Sequence, residues 1–127
     1  MKGVRSFKES VGHEVVSDRL FRLGPTINGL SWNVRGLNCP NKRGHVKWVL
    51  RKFSCDVAIL HEFRMEVVTR PIAISLCWHP LEWLYLLSIG HLGGIIIIWD
   101  PQLLELVDSC IGLFSVCCKF KSQEDSF

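Results

Sequence analysis

The sequence predicts a mixed α/β layered domain, and three observations carry that expectation. From Leu30 onward, strand-like apolar runs alternate with helix-like stretches, and four further strand-like runs then follow one another. Four consecutive isoleucines, residues 95–98, stand between Gly94 and Asp100, the pattern of a strand buried on both faces. A chain of 127 residues, 48% hydrophobic with a mean hydropathy of +0.22, has the material for one moderate core.

In chain order, Val11, Val15, Val16 and Leu20 allow a weak amphipathic helix ending at the Gly24-Pro25 break. Residues 1–27 are therefore expected to form an appendage, helical or disordered, ahead of a domain spanning 28–127. "LSWNV" (30–34) is the first strand of that domain, with Asn28-Gly29 before it as a turn signal that shortens it. Asn38, Cys39 and Pro40 open a helix, proline being acceptable in the first turn. Its Val46, Val49, Leu50 and Phe53 fall at i, i+3, i+4 and i+7 and give one face to a core. Gly44 in its interior costs about 1 kcal/mol relative to alanine. "CDVAIL" (55–60) is the next strand, and a second helix is expected over 67–76, with Pro71 limiting where it begins. "EWLYLL", "GGIIIIWD", "LLELVDSC" and "LFSVCCKFK" are the four closing strands, separated by Gly, Pro, Asp or Ser.

Charge is unevenly spread. Residues 28–64 carry seven basic and two acidic groups, whereas residues 65–127 carry three basic and seven acidic. A basic front half leaves room for a polyanion surface near residues 35–52, although a solvated helix face gives the same pattern. Cys39, Cys55, Cys77, Cys110, Cys117 and Cys118 show no metal spacing and no Cys-x-x-Cys. No secretory signal opens the chain, so these cysteines are expected as reduced thiols, with Cys117 and Cys118 packing on a strand. The apolar stretch 72–99 is interrupted by Pro80, Gly90, Gly93 and Gly94, and reads as two buried strands joined by a turn rather than as a membrane helix.

Chemistry concentrates where strands end. Glu62, just past the second strand, offers magnesium one rigidly placed hard oxygen ligand. Asn33, at the end of the first, offers a carboxamide able to orient a carboxylate, a water or a phosphate. By spacing alone the two are either halves of a metal site or ordinary polar strand ends.

"SWNVRGLN" followed by "DVAILHE", and then the Gly-Gly-Ile-Ile-Ile-Ile-Trp run at 93–99, resemble the start of the endonuclease/exonuclease/phosphatase superfamily. The match is closest to the endonuclease domain of plant LINE-type retrotransposons, with motifs S-W-N-x-R-G-L and D-[IV]-x-x-L-Q-E-[ST]-K. The resemblance covers residues 30–127. It implies a four-layer α/β sandwich, two central sheets flanked by helices, and magnesium-dependent hydrolysis of phosphodiesters. In LINE-type members the substrate is DNA, nicked to start target-primed reverse transcription, and an active member would have to reach the nucleus. By motif, Glu62 matches the metal-binding glutamate and Asn33 the asparagine at the active-site edge. Arg35, Lys42, Arg43 and Lys47 would then hold DNA phosphates in a sequence-independent way.

Departures from the motifs shape what is expected of this chain. His61 stands where the family has Gln, Phe63 and Arg64 replace Thr and Lys, and Leu92 replaces the Ser of S-G-G. His61 is read as structural and kept out of the metal set. The family's remaining machinery (the G-x-Y-G-P tyrosine, the G-D-x-N pair and a terminal Asp-His) has no counterpart here, which predicts an incomplete sandwich, a truncated remnant inactive alone. The alternatives are a residually active nuclease completed by a partner chain, and a nucleic-acid- or protein-binding fragment. DNA is the expected partner, with neither a membrane nor a small-molecule cofactor. A half-sandwich would also leave its inner sheet face bare and its strand edges open to self-association.

Overall fold

The computed structural model describes residues 4–10, 18–23, 25–78, 80–86, 93–111 and 115–122. The elements in chain order are β1 (Val4–Ser10), β2 (Arg19–Leu23), β3 (Ile27–Asn33), α1 (Pro40–Lys52), β4 (Val57–His61), α2 (Arg70–Ile74), β5 (Glu82–Leu86), β6 (Ile95–Trp99), β7 (Leu104–Ile111) and β8 (Ser115–Ser122). They form a five-stranded sheet in the order β2-β3-β4-β6-β5 and a three-stranded sheet in the order β1-β8-β7. β3 and β4 are parallel, and the other neighbours are antiparallel. A parallel pair needs a crossover, and α1 is that crossover. The fold is thus mixed α+β.

Side-chain alternation decides the layers. Leu30, Ala58, Leu60, Ile96 and Ile98 point to one face of the larger sheet and pack on Val46 and Leu50 of α1 and Ala73 of α2. Ile27, Val57, Ile59, Ile95, Ile97 and Trp99 point to the other and pack on Leu104, Cys118 and Phe120 of the smaller sheet. Trp99 and Phe120 meet edge to face with centroids 5.2 Å apart. All five residues of β6 are buried, as the isoleucine run predicts for a strand covered on both sides. The inner face expected to be bare is therefore covered: β7 and β8 fold back over it. The smaller sheet turns the exposed side chains of Lys119 and Lys121 outward, opposite Asp108 and Glu105 in register, and such opposite-charge cross-strand pairs suit a solvated face.

Residues assigned to an appendage belong to the sheets instead. β1 pairs with β8 over seven residue pairs, and β2 pairs with β3. Leu20, expected on a helix, lies in β2; Val11, Val15 and Val16 lie outside the described residues. β3 also starts earlier than the Asn28-Gly29 signal suggests. Phe21 stands opposite Gly29, and a Cβ at Gly29 would come within 2.4 Å of the Phe21 ring. The glycine is a seat for that ring rather than a turn.

α1 begins at Pro40 after Cys39 and carries Arg51 and Lys52 in its last turn, where cations suit the helix dipole. It ends in a Schellman arrangement: the Cys55 N–H donates to Leu50 O (2.9 Å) and the Ser54 N–H to Arg51 O (3.1 Å). Ser54 takes the left-handed position (φ 51°) that glycine usually fills. α2 is shorter than the expected 67–76, because Thr69 caps it at the Ile72 N–H and Pro71 lies in its first turn. Among the described residues no helix is long and apolar enough to cross a membrane. Cys39, Cys55 and Cys77 are free thiols.

Candidate functional site

The parallel pair β3 and β4 ends on one side of the sheet, and their pairing continues irregularly beyond both strands. The Val34 N–H donates to His61 O (3.0 Å), Gly36 to Glu62 O (2.7 Å) and Leu37 to Phe63 O (3.0 Å). On the other flank, the Glu62 N–H donates to Gly94 O (2.7 Å) and Arg64 to Gly93 O (2.7 Å). Glu62 is thereby held by backbone bonds to two separate segments.

Holding it this way bends the chain. Arg35 (φ 52°), Glu62 (φ 56°) and Arg64 (φ 54°) are all left-handed, a conformation costing roughly 1 kcal/mol or more for a residue with a Cβ. Glycines make room: Gly93 (φ 81°) lies so close that a Cβ there would sit 2.8 Å from the Glu62 Cα. Three such residues at one corner mark it as more than a plain strand end.

The side chains converge. Asn33 Nδ2 donates to Glu62 Oε2, and Arg64 donates to Oε1 at 2.6 Å. Asn33 Oδ1 accepts from the Arg35 N–H (3.1 Å), and the Asn33 N–H donates to Asp18 Oδ1 (2.8 Å). The Asn33 amide, and after it the Arg64 and Arg35 cations, hold the Glu62 carboxyl below its ordinary value despite some opposing burial. Glu62 is therefore a carboxylate at neutral pH, with a side chain 31% exposed.

His61 faces the other way. It is buried beside Ser31, with Nε2 3.2 Å from the Ser31 Oγ, and burial pushes its pKa down. A buried, neutral imidazole beside a serine hydroxyl is a structural group, although the Glu62 charge acts on it.

The predicted basic residues separate. Arg35 is at the corner. Arg43, half-buried, donates through one guanidinium nitrogen to Leu37 O (2.7 Å) and Asn38 O (3.0 Å), tying the loop after β3 to α1. Lys42 lies in the first turn of α1, where its backbone N–H and that of Asn41 pull the exposed Cys39 thiol down. Lys47 is exposed near Cys77, close enough for its charge to act on that thiol. The corner thus unites Asn33, Glu62 and Arg35, and leaves Lys47 on the α2 side of the helix. Arg64 joins the corner without being among the expected site residues; its place two residues after Glu62, where the resembling motif has a lysine, is the signal for it. Among the described residues no group of three or more His, Cys, Asp or Glu side chains comes together as a metal cage.

Compared with known proteins, the chain matches no family model, no curated protein and no solved structure.

Proposed function

We propose that this chain is a remnant of a metal-dependent phosphodiesterase of the endonuclease/exonuclease/phosphatase kind, which keeps the glutamate corner and does not hydrolyse DNA by itself. Its two packed sheets and single helix layer then correspond to three layers of a four-layer sandwich. The observation that carries the proposal is the Asn33 amide on the Glu62 carboxylate at the ends of two parallel strands, with Arg64 on the other oxygen.

That geometry supports ancestry and argues against turnover. Magnesium needs hard oxygens, one or two carboxylates together with water and substrate phosphate. Here both Glu62 oxygens already accept hydrogen bonds, the guanidinium at one of them competes with a cation, and the neighbouring Asp18 carboxylate accepts from the Asn33 N–H. With their oxygens so engaged, these residues do not fit a resident magnesium ion. Among the described residues, His61 offers the corner no base for water, since it is buried beside Ser31.

The test is nicking of supercoiled plasmid in magnesium by the wild type and by Glu62→Ala, both shown to be folded by circular dichroism. Equal, background-level nicking is expected. Magnesium-dependent nicking that Glu62→Ala abolishes would overturn the proposal in favour of an active nuclease.

A further inference from the structure

We infer that the exposed flank of α1, continuing over β2, is a docking track for single-stranded nucleic acid. α1 has no acidic residue, and Arg51 and Lys52 stand exposed in its last turn, so that end of its solvent side is electropositive. On that side aromatic rings and cations interleave. His45 and Trp48, one turn apart, lie with ring centroids 6.1 Å apart and planes 19° from parallel. One turn further, the Lys52 ammonium stands 4.8 Å over the Trp48 ring and 5.9 Å from the Phe53 ring.

Two of these rings are too exposed to be core. Trp48 is 55% accessible on a helix whose buried face is filled by Val46 and Leu50, and Phe53, the C-cap expected on the core stripe, is 47% accessible instead. Past Phe53 the surface continues into a hollow of about 310 Å³ between the end of α1 and β2–β3, with the Phe21 ring and side-chain-free Gly29 in its wall. Along this flank the groups therefore run ring, ring, cation, ring and then the hollow.

Charge and shape together select the occupant. Interleaved aromatic and cationic groups are what an unpaired strand needs, since its bases stack on rings while its phosphates meet the cations. A duplex keeps its base faces stacked inside and can use only the cations. An acidic peptide would satisfy the charge and leave the rings without flat partners.

Nothing in this depends on Glu62 or on a metal, so the experiment is run in EDTA, where failure of the phosphodiesterase proposal cannot affect it. The full chain is titrated by fluorescence anisotropy with a labelled thymidine dodecamer, a duplex of equal length and a polyglutamate peptide. Expected is a preference for the single strand, weakening as salt rises, with Trp48→Ala lowering affinity about ten-fold and Lys52→Ala reducing the salt slope by about 0.7. Trp48 is exposed, so Trp48→Ala should unfold at the wild-type urea midpoint, and Trp48→Phe should restore most of the binding. Equal or tighter binding of duplex or polyglutamate would overturn the inference. So would single-strand binding that a folded Trp48→Ala variant leaves unchanged, or no single-strand binding at low salt.

Discussion

Replacing Asn33 and Glu62 by alanine, singly and together, measures how far the amide holds the carboxylate. A hydrogen bond to a charged group is worth about 1.5–3 kcal/mol when well buried. The Glu62 side chain is 31% exposed, so solvent screening lowers the expected coupling to roughly 1 kcal/mol. Asn33→Ala also removes the acceptor for the Arg35 N–H, and Glu62→Ala also strips Arg64 of its partner. Those losses fall in the single variants and cancel in the cycle, which isolates the Asn33–Glu62 pair. The assay is urea unfolding of all four proteins at pH 7 and again at about pH 3. The native pKa of Glu62 is depressed, so its contribution is complete above the unfolded-state value, near 4.3, and is lost as pH falls through the native value. The coupling should therefore shrink at the acid end. A coupling under about 0.3 kcal/mol at pH 7, or one of equal size at both pH values, would refute a charge-assisted bond at this corner.

Three further outcomes follow from the packing. Phe120→Ala removes a fully buried ring lying against Trp99 between the two sheets, and should cost about 3–5 kcal/mol in urea unfolding; a loss under 1 kcal/mol would mean that the sheets do not share a core. Ser54→Gly relieves the left-handed strain at the end of α1 and should stabilise by about 0.5 kcal/mol after the added flexibility of the unfolded chain is counted, read as a higher urea midpoint. Burial lowers the His61 pKa, so the unfolded chain takes a proton near pH 6.5 while the folded one resists it. Stability should therefore be complete above that value and fall as pH drops toward the native pKa, and His61→Gln should flatten the urea midpoint across that window.

The parts of the fold legible in the sequence are those with strong local patterning. α1 with proline at its start and the four closing strands, the isoleucine run among them, all carry periodicity or turn residues that tertiary contacts leave in place. β1 and β2 were missed because "VRSFKES" and "RLFRL" mix charges with isolated apolar residues, and their pairing comes from distant strands. Gly29 misled for a related reason, since only the Phe21 ring opposite explains it. At the corner, the residue types of Asn33 and Glu62 were legible, whereas the left-handed backbone was not. It arises from hydrogen bonds that Glu62 makes with Gly36 and Gly94, more than twenty-five residues away on either side. Likewise charge alone could not tell that the Arg43 guanidinium is engaged by loop carbonyls.

The burial of β6 has a consequence for how the molecule survives in solution. Four adjacent isoleucines without a charge form a segment that would pair readily with copies of itself if released. Within the larger sheet that segment is one strand in from the edge, and among the described residues β5 stands between it and the outside. β5 is the sacrificial fence: it is only partly buried and begins with the exposed Glu82, a charge that discourages further pairing. Shielding β6 is thus the task of the thin outer strand, and a break at β5 would turn the best-packed strand of the core into its most adhesive one.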